Sequence, residues 1–338
     1  MRDFFTDCGT WGIMEGDCLE RLQELPEGCA DLVLIDPPYG TIKGLDLHNW
    51  TAETTAWDDA LEAGELMRNC ARLLRRNGRA VVFSQEPYSS QLGIRAWDNL
   101  AFNYRMIWKK NTFGNGKSAK KAPVSYYEDI LVFTQKYDLG VNLHPLRAYY
   151  RELAAVTGLD ANRAAQLLGN RSAEHAFRFD SSQFANCSQP TYARLVELVG
   201  LDQVDGFLPW DEVARIDAEF KAKTAPTFHL PEGEGHRGNV LEFPKEAKSY
   251  HPTQKPVTLL VEILETFTNP GDLVVDFTMG SGSTGVACLK TGRRFVGVEK
   301  AQKYFETAQR RISTAWEEIT EIYTQPNEKN GGKTWKAI

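Results

Sequence analysis

Two short segments, far apart in the chain, carry the residue types that could do chemistry. Residues 36–40 have the sequence DPPYG and end the apolar run 32–35, and residues 276–285 have the sequence DFTMGSGSTG and end the apolar run 273–275. A short apolar run predicts a buried strand, and open α/β sheets bind their ligands at the carboxyl ends of their strands. We therefore expect the two segments to meet in one active site.

The first segment has acceptors that would make a ring-bound amine reactive. Such an amine is a poor nucleophile, because its lone pair is delocalised into a purine or pyrimidine ring. The Asp36 carboxylate and the backbone carbonyl of Pro37 would each accept one N–H and release the lone pair. Pro37 and Pro38 fix the backbone and remove competing donors, and the Tyr39 ring would stack on the base. The alternative is that the prolines only form a turn after a strand.

The second segment has the features of a nucleoside-binding turn. Gly280 and Gly282 let a bound molecule approach the backbone closely, and the next predicted strand, 294–298, ends in Glu299. An acidic side chain about 20 residues after such a turn can accept hydrogen bonds from both ribose hydroxyls. Gly285 follows Gly282 by three residues, so a dinucleotide fingerprint and a plain tight turn both stay open as alternatives.

The composition bounds the class of protein. The 338 residues suit one large domain or two. No apolar run approaches the roughly 20 residues of a membrane span, and the N-terminus is too acidic for a signal peptide. Six scattered cysteines without a Cys-x-x-Cys pair indicate reduced thiols in a cytosolic protein. The net charge of −6 argues against general polyanion binding and leaves room for a local basic cleft.

The spacing of apolar residues divides the chain into regions of different type. Strands and helices alternate over 11–135 and again after His251, whereas helices alone are predicted over 138–248. Glycines and prolines at their ends delimit five helices in this middle region: 148–156, 161–168, 173–177, 192–199 and 212–220. We predict a doubly wound, mostly parallel α/β sheet with a reversed β-hairpin over 104–133, interrupted by a helical insertion. The predicted parts are a catalytic half, the insertion, a cofactor-binding half and a polar tail, over 1–137, 138–248, 249–323 and 324–338.

Three ordered motifs carry a resemblance to a known family. Residues 36–39, the sequence HPTQKP at 251–256, and residues 276–284 resemble the amino-methyltransferases that modify adenine N6 or cytosine N4 in DNA. The order, with the catalytic motif first and the cofactor motif last, resembles the β group of that family. The resemblance covers about 1–135 and 250–315. It implies a Rossmann-like methyltransferase fold, S-adenosylmethionine as cofactor, and a target-recognition role for the insertion.

The resemblance also implies cofactor contacts. Asp276 and the glycine turn would hold the methionine part, Glu299 the ribose, and Asp17 the adenine amino group, with Thr253 and Lys255 near the methionine carboxylate. The implied cofactor-binding residues are Asp17, Thr253, Lys255, Asp276, Phe277, Gly280, Gly282 and Glu299. Asp17 could instead be a helix cap, and Lys255 a surface charge. The family usually has Pro-Phe where this chain has Phe277-Thr278, which leaves the contact of Phe277 open.

An aromatic and a basic stretch are the candidate contacts with nucleic acid. Trp108 or Phe113 would face the base opposite Tyr39, although an aromatic on a strand is more often part of the core. The Gly/Lys-rich loop after Trp108 suits the phosphate backbone, and the alternative is a solvated face. Its candidate DNA-binding residues are Lys109, Lys110, Lys117, Lys120 and Lys121.

The insertion contains a spacing similar to a helix-turn-helix. Helix 161–168, Gly169 and a second helix over 172–179 would direct Arg171, His175 and Arg178 toward a major groove. A pair of packed helices in a bundle is the alternative. His229 and His236, with acidic residues between them, lie in a Gly/Pro-rich loop, and amino methylation needs no metal, so no metal site is expected.

Together these features predict a site-specific DNA methyltransferase. The expected reaction is direct in-line methyl transfer from S-adenosylmethionine to adenine N6, with the base flipped out of double-stranded DNA. The alternatives are cytosine N4, RNA or a protein amide as substrate, or a DNA-binding regulator that has kept an inactive methyltransferase fold. The expected partner is double-stranded DNA, with a cognate restriction enzyme left open. We expect a monomer or homodimer, encoded by a bacterium or a phage and located on the nucleoid in the cytoplasm.

Overall fold

The computed structural model describes residues 8–40, 58–94, 99–114, 119–121, 123–136, 143–181, 183–247 and 249–324. It divides into two compact units. The sheet unit comprises Met1–Lys136 with Pro226–Ile338, and the helical unit comprises Tyr137–Ala225. Within the described ranges, no helix combines the length and the apolarity that crossing a bilayer requires.

Eight strands of the described part of the chain form one mixed sheet. They are β1 (Trp11–Glu15), β2 (Ala30–Ile35), β3 (Leu74–Ser84), β4 (Leu100–Gly114), β5 (Ser125–Gln135), β6 (Val240–Glu242), β7 (Leu273–Asp276) and β8 (Arg294–Glu299). Their order is β1-β8-β7-β2-β3-β5-β4-β6. The first five in this order are parallel, β5 is antiparallel to both its neighbours, and β6 is parallel to β4. The predicted mostly parallel sheet with a reversed hairpin is confirmed.

Ten α-helices accompany these strands within the same described ranges. They are α1 (Cys18–Arg21), α2 (Ala63–Leu73), α3 (Tyr88–Ile94), α4 (Leu146–Thr157), α5 (Ala161–Leu168), α6 (Gln189–Val199), α7 (Trp210–Lys223), α8 (Val257–Phe267), α9 (Ser283–Lys290) and α10 (Gln302–Thr324). In the sheet unit α2 and α3 pack on one face, and α8, α9 and α10 pack on the other. Helices on both faces make the sheet doubly wound, as predicted.

Strand β2 illustrates why the central strands are apolar throughout. Its side chains alternate between the faces, so Leu32 and Leu34 enter one hydrophobic core while Val33 and Ile35 enter the other. All four are at most 1% exposed. A parallel strand covered by helices on both sides must be apolar at every position. Each such side chain contributes roughly 1.5–3 kcal/mol of burial free energy, which fixes the position of Asp36 at the strand end.

The helical unit has a hydrophobic core of its own, formed by side chains of α4 to α7 that include Tyr150, Leu153, Tyr192, Leu195 and Val213. Left-handed glycines end three of the helices, with φ of 67° at Gly158, 70° at Gly169 and 66° at Gly200. These are the helix-ending glycines that the sequence indicated.

The predicted helix over 173–177, the second element of the helix-turn-helix, is wrong. Residues 172–177 form successive turns, with short-range bonds such as Glu174 N–H to the carbonyl of Arg171. The Asn170 side chain accepts the Ser172 N–H at 2.9 Å, which starts a turn. A segment this short does not recover the cost of starting an α-helix.

The predicted boundary of the insertion also needs correction. Residues 226–248 belong to the sheet unit and not to the helical unit. Strand β6 within this segment pairs with the edge of β4, where Ile107 N–H donates to the carbonyl of Asn239 at 2.8 Å. Helix α10 ends at Thr324, and the polar tail from 325 onward lies outside the described residues.

Candidate active site

Four carboxylates lie at the same edge of the sheet. Glu299 and Asp276 end β8 and β7, Asp36 directly follows β2, and Asp17 lies two residues after β1. These four strands are consecutive neighbours in the sheet. Neighbouring strands are about 4.8 Å apart. The structure therefore brings the predicted catalytic and cofactor motifs together, although they are far apart in the chain.

The Asp36 carboxylate is held from two sides. The Tyr39 hydroxyl donates to Oδ1 at 2.5 Å, and the Lys255 ammonium donates to Oδ2 at 2.5 Å. The Asp36 side chain is still 23% exposed, so a further donor can reach it. Burial raises the pKa of Asp36, the nearby Glu128 carboxylate adds to the rise, and Lys255 opposes it.

A buried aspartate, not predicted from the sequence, fixes the turn after Pro38. Asp58 is 2% exposed, and its Oδ1 accepts the N–H groups of both Tyr39 and Gly40 at 3.0 Å. Pro37 is buried and Pro38 is half-buried. No local motif indicates this role, because Asp58 is separated from the turn by a long stretch of chain. Its effect is to hold Tyr39 where its hydroxyl meets Asp36.

Asp276 organises the second segment. It is 3% exposed; its Oδ1 accepts Thr278 N–H at 3.1 Å and its Oδ2 accepts the Thr284 hydroxyl at 2.6 Å. Burial raises the pKa of Asp276 to about 7, and these two hydrogen bonds oppose the rise. The carboxylate thus closes the turn that leads from β7 into α9.

Glu299 joins the glycine turn to the end of β8. Its Oε2 accepts Gly280 N–H at 3.0 Å and its Oε1 accepts Ala301 N–H at 2.8 Å. Each oxygen keeps a further acceptor position for a hydroxyl group. A Cβ at Gly280 would have its nearest neighbour, His251, at 3.8 Å, so this part of the turn is open. The Thr278 hydroxyl is buried and has no partner among the described residues. These features fit a ligand with a diol and polar groups, such as a nucleoside.

The second glycine of the turn has a packing role. Gly282 has a φ of 78°, and a Cβ there would lie 2.9 Å from Ala308 Cβ on α10. Gly285 is similarly enclosed, because a Cβ on its backbone would lie 2.6 Å from Ile312 Cδ1. Both residues therefore allow α9 to pack closely against α10, whichever ligand the turn holds.

Two predicted contact residues lie in the hydrophobic core instead. Phe277 is 1% exposed and packs among the side chains of the second face. Trp108 is 1% exposed, and its indole N–H donates to the carbonyl of Phe243 at 2.8 Å. Neither offers a ring face to a ligand here, because the backbone turns both side chains inward. Phe113 is 51% exposed and packs edge-on against Tyr126 at 5.8 Å, so it stays a candidate for base stacking.

Lys255 is not a surface charge, and its ammonium is directed toward the catalytic motif. It is 5% exposed, and its ammonium also lies 3.1 Å from Glu128 Oε2. Thr253 donates its hydroxyl toward His251 Nδ1 at 3.1 Å. Burial lowers the pKa of His251 to about 4, with a contribution from Lys255, so this imidazole is neutral beside the open side of Gly280.

The basic stretch divides between buried and exposed lysines. Lys110 is buried and donates to Glu128 Oε1 at 3.0 Å, so it is not available to phosphate in this structure. Lys109 is exposed and pairs with Glu242 at 2.8 Å. Lys120 and Lys121 are exposed, and the predicted contact Lys117 lies outside the described residues.

The remaining predicted residues have local partners. Asp17 caps α1 by accepting Leu19 N–H at 3.0 Å, and it pairs with Lys300 at 2.9 Å, which lowers the pKa of Asp17. In the helical unit, Arg171 and Arg178 both pair with Glu174, and His175 Nδ1 lies 3.0 Å from the carbonyl of Gln183.

The doubly wound sheet, with an Asp-Pro-Pro-Tyr turn beside a glycine turn that suits a nucleoside, fits the class of amino-methyltransferases. The sequence model of a family described as DNA methylase matches residues 30–310, which is more than half of the chain. The chain belongs to this family of S-adenosylmethionine-dependent DNA methyltransferases, which act on amino groups. The predicted resemblance is confirmed.

Individual relatives are distant. The DNA adenine methyltransferase YhdJ of Escherichia coli (strain K12) is 26% identical over 313 residues, which cover 90% of this chain and 83% of YhdJ. The putative methylase YubD of the same organism is 43% identical over 75 residues, which cover 22% of this chain and 33% of YubD. The crystal structure of the M1.HpyAVI–SAM complex matches with a TM-score of 0.50 and 19% identity, over 89% of this chain and 98% of that one. This last likeness shows the fold.

Proposed function

We propose that the protein methylates the N6 amine of adenine at specific sites in double-stranded DNA. Two observations support adenine. The residue before the two prolines is Asp36, where a serine would favour cytosine by family resemblance, and the relative YhdJ is named a DNA adenine methyltransferase. Cytosine N4 is the second candidate, because its amine presents the same two N–H donors.

One feature of the sheet carries this proposal. Strands β2 and β7 are direct neighbours, with Leu32 paired to Val274 and Val33 to Val275. The Asp36 carboxylate is thereby held within about one strand spacing of the turn that begins at Asp276. An acceptor for an amine and a nucleoside-binding turn at this separation suit group transfer between two bound molecules.

The residues of this chain would then act as follows. When bound, S-adenosylmethionine supplies a methyl group on a positively charged sulfur. Asp36 and the Pro37 carbonyl each accept one N–H of the flipped base, so that the nitrogen lone pair is free to attack in line. The nitrogen gains the methyl group as the carbon–sulfur bond breaks, and it then loses one proton, for which Asp36 is the nearest base. Most of the rate gain comes from positioning.

Other parts of the chain would bind DNA. We assign target recognition to the helical unit, which has its own core and interrupts the sheet unit in the sequence. The exposed Phe113, Lys120 and Lys121 belong to the hairpin of β4 and β5 and are the candidates for contacts with the base and the phosphate backbone. A restriction partner, the oligomeric state and a location on the nucleoid stay predictions.

A labelling experiment tests the proposal. The protein is incubated with unmodified genomic DNA and methyl-labelled S-adenosylmethionine, and the DNA is hydrolysed to nucleosides. N6-methyladenine at one sequence context is the expected product. Label in N4-methylcytosine would overturn the adenine assignment, and an absence of label in either base would overturn the proposed activity.

A matched variant tests the role of Asp36. Asp36→Asn keeps the shape but removes the charge, and we expect turnover to fall by about 10²–10³-fold, the magnitude typical when one hydrogen bond to a transition state is lost. Cofactor binding, measured by calorimetry, should stay within about threefold of wild type. Normal turnover of this variant would show that Asp36 does not orient the amine.

A further inference from the structure

Three buried charged side chains form a continuous row that ends at the partly exposed carboxylate of Asp36. Lys110 Nζ lies 3.0 Å from Glu128 Oε1, Glu128 Oε2 lies 3.1 Å from Lys255 Nζ, and Lys255 Nζ lies 2.5 Å from Asp36 Oδ2. Lys110 is 4% exposed, Glu128 8% and Lys255 5%. Charges this deeply buried persist only when each is paired.

The row is built by three separate parts of the sheet unit. Glu128 on β5 pairs across the hairpin with Trp108 on β4, and Lys110, two residues further along β4, points to the same face. Lys255 comes from the segment that precedes α8. Its ammonium lies 5.1 Å from the centre of the Phe83 ring and 5.8 Å from that of Tyr39. These rings exclude water from the ammonium, which strengthens its attraction to the two carboxylates.

The charges of the row balance, with two ammonium groups against two carboxylates. This balance bears on the reaction, because an ionised Asp36 is an acceptor at both oxygens, whereas the protonated acid has one oxygen that donates. Burial and Glu128 favour the protonated acid, and Lys255 is the group that opposes them. The Tyr39 hydroxyl meanwhile donates to Oδ1 of Asp36, so that Lys255 fixes the orientation of the other oxygen.

We propose that Lys255 is a positioning residue that keeps Asp36 ionised and correctly oriented, and that Glu128, anchored by Lys110, holds the Lys255 ammonium in place. This inference rests on the proposed methyl transfer and extends it to residues far from the Asp-Pro-Pro-Tyr motif. Neither Lys110 nor Glu128 is required to touch the base or the cofactor.

Several other titratable groups act on this row and are common to all variants below. Partial desolvation and the two lysines of the row lower the pKa of the Lys245 ammonium. Among the described residues, Tyr39, His251 and Asp276 also interact with members of the row, and Asp58 acts on Tyr39.

The test is the pH dependence of turnover in three variants. Asp36 must be ionised to act, so activity falls on the acid side of its pKa. Lys255→Met should move this acid limb to higher pH by about 1–3 units, as when an opposite charge within 4–6 Å is removed, and lower kcat by about 100-fold. Glu128→Gln removes a like charge, so it should move the acid limb in the opposite direction, by about one unit.

The double variant Lys255→Met with Glu128→Gln restores the charge balance. Its acid limb should lie between those of the two single variants, although kcat stays reduced. The KM for S-adenosylmethionine should change by less than about threefold in Glu128→Gln, whose residue is not among the expected cofactor contacts. Acid limbs that coincide in wild type, Glu128→Gln and the double variant would overturn the proposal, since a purely structural role lowers activity without moving the limb.

A direct titration separates this inference from the proposed function. Asp36 is observed by ¹³C NMR of carboxyl-labelled aspartate and assigned with Asp36→Asn. If wild type transfers no methyl group, the proposed function fails. The titration of Asp36 still measures the electrostatic effect of Lys255 and Glu128 on its carboxylate. An Asp36 titration that shifts up in Lys255→Met and down in Glu128→Gln supports the electrostatic link. A titration that is unchanged in both variants overturns it.

Discussion

Replacement of Asp276 by asparagine should stabilise the fold while it weakens cofactor binding. Asp276 is 3% exposed and accepts hydrogen bonds from Thr278 N–H and the Thr284 hydroxyl. Asparagine has the same shape, its amide oxygen can accept the backbone N–H, and its amide nitrogen can donate to the threonine oxygen. The change therefore removes the charge with little disturbance of the turn.

The magnitude follows from the pKa of the carboxyl group. Burial raises it from 3.8 to about 7, so the folded state favours the protonated acid. The corresponding stability is complete below about pH 4 and is lost as the pH rises through about 7. At about 1.4 kcal/mol per pKa unit, the loss approaches about 4 kcal/mol at pH 8, and about 2 kcal/mol of it falls between pH 5.5 and 8. The asparagine variant does not have this loss.

Urea denaturation at the two pH values measures the effect. The stability of Asp276→Asn relative to wild type should be higher at pH 8 than at pH 5.5 by about 2 kcal/mol. Calorimetry at pH 8 should show weaker binding of S-adenosylmethionine, in line with the frequent conflict between stability and function. Asp205→Asn on the helical unit serves as the control for the loss of one exposed charge. A relative stability that is equal at both pH values would refute the reasoning.

Two further predictions concern packing and recognition. Gly282→Ala should destabilise the sheet unit by roughly 1–2 kcal/mol for the left-handed backbone and by about 1–3 kcal/mol more for the contact with Ala308. Gly233 has the same φ of 78°, and a Cβ there would meet nothing within 4 Å. Gly233→Ala should therefore show only the cost of the left-handed backbone. Equal urea midpoints for the two variants would contradict the packing role of Gly282. Replacement of the helical unit, 137–225, by that of a relative should change the methylated sequence and leave cofactor affinity within about threefold; an unchanged methylation pattern would remove recognition from this unit.

Much of the sheet could be predicted because its signals are local. The runs 32–35 and 273–275 are apolar at every position, which only a strand covered on both faces requires. The glycines at 158, 169 and 200 end helices as expected, since a left-handed residue at a helix end costs glycine little. Strand β6 could not be predicted because three residues carry no periodic signal. It forms only because β4 presents an edge to it.

The candidate site could be predicted where a motif with reactive side chains lies at the end of a strand, as for Asp36 and Asp276. It was not predictable where a role depends on tertiary burial. Lys110 was expected on the surface because lysine usually lies there, yet strand alternation directs it toward Glu128 inside the unit. Asp58 and Glu128 have no local pattern at all, and only the fold brings them to the catalytic motif.

The order of the strands has a consequence for synthesis of the protein. Strands β1 and β2 follow one another in the chain, but β8 and β7, which are made last, lie between them in the sheet. Pairing across such a long stretch of chain is a slow, late folding step. A nascent chain consequently emerges from the ribosome with two unpaired strand edges, where it is exposed to aggregation. The Asp36 turn and the glycine turn can meet only after translation has reached β8, so a product that terminates before β8 lacks the complete candidate site.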